Sequence, residues 1–295
     1  MVTQLATPPA SVQRLARQAR CIRTPLAERE SDVVWHVWGR ATQTLPPLVL
    51  LHGGSGSWTH WLRNIEALAA SGREVWAVDI PGFGDSGAVG QDVDAVIEPL
   101  HQSLQTLFGA QPCDLVGFSF GAMTAGLLEA AHPGRSRTLV LVGAPALTEQ
   151  RANRVPLRGW RHLESMQAQQ QVHRHNLAAL MLADAGQIDE ATLALHAHNV
   201  ARDRMQRRRL SNTDILAQAL RQVRCPAHVI YGEHDALYRG RFDELQAAVH
   251  ATGCDCRSFT LIPEAGHWVQ YEQPRAFDQA LCAALAQHGS GPTPA

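Results

Sequence analysis

In the stretch Cys113-Asp114-Leu115-Val116-Gly117-Phe118-Ser119-Phe120-Gly121 an apolar strand pattern ends on a serine set between two glycines, and a helix-forming stretch follows at once. A strand that passes into a helix without a loop must bend sharply at one residue, and that residue is expected to be Ser119, strained and with its hydroxyl exposed above the strand end. Side chains at Gly117 or Gly121 would collide with the neighbouring strand or helix and close the turn. Ala122, Ala125 and Gly126 are small enough to let the helix lie close on a sheet, and His132-Pro133-Gly134 is expected to end it.

A serine hydroxyl is a poor nucleophile until a base removes its proton, and the base needs a carboxylate to fix its tautomer. Downstream, the strand pattern Ala227–Tyr231 runs into Gly232-Glu233-His234-Asp235, and Ser258–Ile262 runs into Pro263-Glu264-Ala265-Gly266-His267-Trp268. Asp235 and His267 thus stand at strand ends, in the order Ser, acid, base. Upstream, Leu48-Val49-Leu50-Leu51 leads into His52-Gly53-Gly54-Ser55-Gly56. Acyl transfer builds negative charge on a carbonyl oxygen, which two preorganised backbone N–H groups can stabilise. Gly54 and Phe120 are the expected donors.

The chain alternates strand and helix patterns, as a mostly parallel sheet covered on both faces requires. Strands are expected at Asp32–Trp38, Leu48–Leu51, Glu74–Val78 and Thr138–Val142, the first of them antiparallel. From Thr148 to Asn212 the strand signal gives way to helical spacing, which predicts a helical lid over residues 148–212 between two core segments, 25–147 and 213–290. Residues 1–24, with Pro8-Pro9 and four Arg, read as a loosely attached N-terminal segment.

With 295 residues, 45% of them hydrophobic, the chain can bury one large core, and its net charge of −1 leaves no basic footprint for nucleic acid. All 26 basic residues are Arg, which excludes chemistry through a P-loop or Schiff-base lysine. Six scattered cysteines and an opening Met1-Val2-Thr3-Gln4 predict reduced thiols and a cytoplasmic protein, and no apolar run is long enough to span a bilayer.

Gly82-Phe83-Gly84-Asp85-Ser86-Gly87 fits a dinucleotide fingerprint, yet the next strand ends on Gly117-Phe118-Ser119 and not on an acid for a ribose, so it is read as a loop. His173-x-His175, His196-x-His198 and Cys254-x-Cys256 resemble metal-ligand pairs, but helical residues two apart face different ways, so no metal is expected. Arg207-Arg208-Arg209 reads as a solvated face, with attraction of an acidic substrate as the alternative.

From Asp32 to Leu285 the chain resembles the α/β-hydrolases, the serine pentapeptide being their nucleophile elbow, and within them the carboxylesterases and meta-cleavage-product C–C hydrolases. The marks of the latter are Leu50-Leu51-His52-Gly53-Gly54, Trp58 followed by Arg63-Asn64-Ile65, and Gly266-His267-Trp268-Val269-Gln270-Tyr271-Glu272. The resemblance implies an α/β-hydrolase fold with a lid, a Ser119–His267–Asp235 triad, no cofactor, and cleavage of a carbon–carbon bond in a dienoate from aromatic ring opening. It also places His60, Phe118, His196, Arg202 and Trp268 among the substrate contacts.

The departures bear on substrate. Where that family carries Asn before the nucleophile this chain has Phe118, a second Asn aligns with His60, and the lid Arg that holds a carboxylate aligns with His196, with Arg202 nearby. Ester hydrolysis requires the triad, the oxyanion donors and an apolar pocket, so it ranks first, ahead of C–C hydrolysis. A ligand receptor of the same fold that no longer turns over is the reading from another class.

Overall fold

A computed structural model of the protein describes residues 7–26, 30–42, 44–148, 155–205 and 207–287. One sheet of eight strands organises them: β1 (Arg20–Pro25), β2 (Asp32–Trp38), β3 (Leu48–Leu51), β4 (Val75–Asp79), β5 (Cys113–Phe118), β6 (Ser136–Val142), β7 (Ala227–Gly232) and β8 (Cys256–Ile262). Their spatial order is β1-β2-β4-β3-β5-β6-β7-β8. β2 pairs antiparallel with both β1 and β4, and every later neighbour is parallel. The strands expected from the sequence are all present, within about one or two residues at each end.

The inner strands bury both faces, which explains their unbroken apolar runs. Alternate residues enter two separate cores: Val49, Leu51, Val78, Leu115, Leu139 and Val229 on one side, Leu48, Leu50, Ala77, Val116, Val140 and Ile230 on the other. The helices that follow the strands cover these faces, among them Asp94–Phe108, Phe120–Ala131 and Pro274–Ala286.

β3 lies between β4 and β5, so the chain leaves it in one direction along the sheet and later returns on its other side. Such a reversal opens a crevice beyond the carboxyl ends of the two strands. The glycine loop after β3 and Ser119 after β5 both sit there. The asymmetric sheet order therefore places the site.

The expectation of a loosely attached N-terminal segment is corrected for its described residues. Ala10–Gln18 form a helix that buries Val12 and Leu15, and Trp38 Nε1 donates to Leu15 O at 3.0 Å. β1 then pairs with β2 along its whole length, as the sheet's outer strand. The i, i+3 spacing of Val12 and Leu15 was the available signal, and Pro8-Pro9 outweighed it. Residues 1–6 lie outside the described residues, as do 149–154 and 206 of the expected lid, 27–29, 43 and 288–290 of the expected core, and 291–295.

Candidate active site

Ser119 stands at φ 51° and ψ −115°, in the left-handed half of the backbone map that residues other than glycine rarely enter. Its N–H still extends the sheet, donating to Val142 O at 2.7 Å, so the strand ends on this residue. The two glycines have the steric role expected of them. A Cβ on Gly117 would lie 2.2 Å from Gly121 O, and one on Gly121 would lie 2.4 Å from Leu51 O and 2.5 Å from His52 O. Those neighbours are backbone atoms, so the elbow can close only with glycine at both places.

His267 Nε2 lies 2.9 Å from Ser119 Oγ, and His267 Nδ1 lies 2.8 Å from Asp235 Oδ2. Asp235 is fully buried and its second oxygen accepts the Leu237 N–H at 2.9 Å. The arrangement gives a route for a proton from the hydroxyl to the imidazole, with a carboxylate to steady the cation that results. Glu233 and Glu264, the other carboxylates close in sequence to Asp235 and His267, are exposed.

The loop that carries His267 is fastened by a residue to which the sequence reading gave no role. Glu272, buried, accepts the Gly266 N–H at 2.6 Å, the Ala183 N–H at 3.1 Å and the Asp184 N–H at 2.7 Å. Trp268 N–H donates to Met181 O at 2.7 Å. The base loop and residues 181–184 of the β6–β7 segment are thus held together.

A cavity of about 480 Å³ opens above Ser119, and Gly54, Phe120, His60, Phe118 and His196 are in its wall. Among the described residues neither the Gly54 nor the Phe120 N–H has a protein acceptor. Leu157, Trp160, Leu180, Met181 and Val200 of the β6–β7 segment add apolar lining, and Arg158, Arg161, Asp203 and Arg208 polar lining.

Burial pushes the His60 imidazole well below its ordinary pKa, helped by the neighbouring His52, His196 and His267 rings. Burial likewise pushes His196 down to about 3. Both imidazoles are therefore neutral groups at neutral pH.

Two expected substrate contacts are corrected, since neither lines the cavity. Arg202 turns away to pair with Asp85 at 2.8 Å, because its segment runs beside the loop after β4. Trp268 is buried against the His60 ring, and its indole N–H is spent on His60 O at 2.9 Å. Arg208, the middle member of the run read as a solvated face, does reach the wall. It pairs with Asp203 at 2.8 Å and donates to Ser55 Oγ at 3.0 Å.

The glycine-rich loop 82–87 presents carbonyls: Arg204 Nη2 donates to Phe83 O and Gly84 O at 3.1 and 3.0 Å. A phosphate cradle needs N–H groups there instead. Among the described residues no cluster of three or more His, Cys, Asp or Glu is placed to hold a metal ion, and no helix is long and apolar enough to cross a membrane.

The profile of the family described as "Alpha/beta hydrolase family" matches residues 48–280. A 2-hydroxy-6-oxononadienedioate/2-hydroxy-6-oxononatrienedioate hydrolase of Paraburkholderia phymatum is 28% identical over 256 residues, covering 81% of this chain and 87% of that protein. An sn-1-specific diacylglycerol lipase of Mus musculus is 27% identical over 271 residues, covering 82% of each. Among solved structures, a carboxylesterase from Bacillus subtilis superposes with a TM-score of 0.69 at 20% identity, covering 93% of this chain and 94% of that one.

Proposed function

The chain belongs to the alpha/beta hydrolase family and is a hydrolase, and we propose that it cleaves carboxylic esters through an acyl-enzyme on Ser119. His267 takes the Ser119 proton as the oxygen attacks the carbonyl carbon, and Asp235 holds the imidazole in the required tautomer. The Gly54 and Phe120 N–H groups stabilise the oxyanion, and His267 returns the proton to the leaving oxygen. Water repeats the sequence and frees the acid. Residues 148–212 act as the lid, because their described part lines the cavity, while 25–147 and 213–290 form the core.

The observation that carries the ester reading is Phe118. Its ring is fully buried, 5.1 Å from the His267 ring and 5.5 Å from the His60 ring, so the wall beside the nucleophile is apolar. Such a wall favours an acyl chain or aromatic ring at about 25 cal/mol per Å² removed from water, and offers nothing to a polar enol or carboxylate.

The test is turnover of p-nitrophenyl esters of graded chain length by the wild type and by Ser119→Ala. Hydrolysis lost by several orders of magnitude in a folded variant supports the reading. Near-wild-type rates in Ser119→Ala refute it. Labelling by a fluorophosphonate separates an enzyme from a ligand receptor, which would stay unlabelled.

C–C hydrolysis of a meta-cleavage product is the second reading, favoured by Arg158 and Arg208 in the cavity wall, where a carboxylate has cations within the same chamber. The ratio of kcat/KM for an ester to that for a 2-hydroxy-6-oxo-dienoate decides between them.

A further inference from the structure

Gly53, whose carbonyl shares a peptide with the Gly54 N–H, is held by two histidines of opposite tautomer. Ile80 N–H donates to His52 Nε2 at 2.9 Å, and an N–H can only donate, so the His52 proton is on Nδ1. His52 Nδ1 lies 2.7 Å from Gly53 O and therefore donates to it. Gly53 O accepts a second bond, from Gly56 N–H at 3.2 Å. On the other side Gly53 N–H donates to His60 Nδ1 at 3.1 Å, which leaves the His60 proton on Nε2.

The Gly53 carbonyl and the Gly54 N–H belong to one planar trans peptide and point in opposite directions. Whatever anchors the carbonyl therefore aims the N–H. We propose that His52 and His60 are positioning residues, which clamp Gly53 from both sides and hold the Gly54 N–H toward the oxyanion. The bonds that the Gly53 carbonyl accepts from His52 Nδ1 and Gly56 N–H also polarise the shared amide, making its N–H a stronger donor.

The surroundings are built for these two rings. His52 is fully buried with the Phe83 ring edge-on at 5.3 Å, and His60 is braced at its carbonyl by the Trp268 indole. A Cβ at Gly56 would lie 2.2 Å from His60 Cε1 and 2.5 Å from its Nδ1, so glycine at 56 makes the room that the ring occupies. Burial lowers the pKa of both imidazoles, which keeps their acceptor nitrogens free of a proton at neutral pH.

The inference rests on the acyl-transfer reading, and its test separates the two. In His52→Asn the side-chain amide nitrogen stands near the place of Nδ1 and keeps the donor to Gly53 O. In His52→Gln the longer amide reaches the place of Nε2, keeping an acceptor for Ile80 N–H and losing that donor. With p-nitrophenyl butyrate, His52→Gln is expected to lower kcat about ten- to a hundredfold at nearly unchanged KM, and His52→Asn by less than about tenfold. A histidine that merely props Ile80 would give the reverse order, with Asn the worse, and that result overturns the proposal.

Nitrogen-15 NMR of the histidine rings in the wild-type protein gives a second readout independent of any variant's folding. His52 is expected as the Nδ1–H tautomer and His60 as Nε2–H. Finding His52 protonated on Nε2 would overturn the clamp whatever the kinetics. A wild type that neither turns over esters nor reacts with a fluorophosphonate would refute acyl transfer, while the ring tautomers would still judge the clamp.

Discussion

Glu272→Gln should cost both stability and activity, because three backbone N–H groups converge on this one carboxylate. Oε2 accepts from Gly266 at 2.6 Å and Ala183 at 3.1 Å, and Oε1 accepts from Asp184 at 2.7 Å. Glutamine keeps one oxygen, best used at the position that takes two donors. Its NH2 then faces the Asp184 N–H, so one bond is lost to donor–donor opposition and two lose their charge assistance. With hydrogen bonds to charged groups worth about 1.5–3 kcal/mol each and neutral ones about half that, the low end of the loss is about 3 kcal/mol. Spread over an unfolding entropy of about 2 cal/mol/K per residue, this lowers the Tm by about 5 °C. Gly266 adjoins His267, so the base loosens too, and a displacement of a fraction of an ångström is expected to lower kcat about tenfold. Scanning calorimetry and ester turnover on the same preparation check both effects. A Tm within 1 °C of wild type, by the criterion of about 2 °C per kcal/mol, together with unchanged kcat would refute the three-donor account.

Asp235→Asn should lower turnover about ten-thousandfold by favouring the wrong His267 tautomer, measured by steady-state kinetics. A dead Glu264→Gln beside an active Asp235→Asn would overturn the choice of acid. Burial raises the Asp278 carboxyl to about 6, so the native state holds a proton that the unfolded chain releases, and stability falls as pH rises from about 4 to 6. Asp278→Asn keeps an acceptor for the Asn64 amide, which donates at 2.9 Å, and should stabilise the protein by about 1 kcal/mol at pH 7.5, a value reduced for solvent screening, with no gain at pH 4. Urea unfolding at the two pH values tests it, and an equal gain at both would sink it. Phe118→Asn should narrow the kcat/KM advantage of uncharged esters over a 2-hydroxy-6-oxo-dienoate. A dienoate already favoured tenfold by the wild type would reverse the ranking of the two substrates.

The parts of the site that were legible in the sequence are those whose geometry is local. Gly117, Ser119 and Gly121 announce a strained turn because the steric demand lies within five residues, and Asp235 and His267 announce themselves by following strands that must end on the same side of a parallel sheet. The rest depends on what meets across the fold. Nothing in Arg207-Arg208-Arg209 says which guanidinium turns inward; Asp203 and Ser55 select the middle one, and Ser55 is distant in sequence. Trp268 sits beside the base in the chain, yet its indole is drawn to a carbonyl of the 58–61 turn. Glu272 stands five residues after His267, with no pattern to show that its three donors come from two separate segments. For residues 10–25 the local pattern is present in Val12 and Leu15, two buried positions three apart, and the surrounding Pro8-Pro9 and arginines mask it.

The distribution of charge around the cavity narrows what can bind against each part of its wall. The wall includes Phe118, adjacent to Ser119 in the chain, and two imidazoles, His60 and His196, that burial holds neutral. An imidazole with a pKa of about 3, as His196 has, supplies no positive charge at neutral pH. A carboxylate set against those groups would lose its hydration and gain no counter-ion, which costs several kcal/mol even with hydrogen bonds from neutral donors. Arg158, Arg161 and Arg208 line the same space, and Arg208, paired with Asp203, lies against Gly54. An anionic group is therefore tolerated beside these arginines and disfavoured beside Phe118, His60 and His196. For an ester, that sorts the substrate into an uncharged part against the ring and imidazole wall and a part free to carry charge toward the arginines. For a dienoate, the carboxylate must reach the arginines while the scissile bond stays at Ser119, so the distance between the two along the substrate becomes the property that separates the readings.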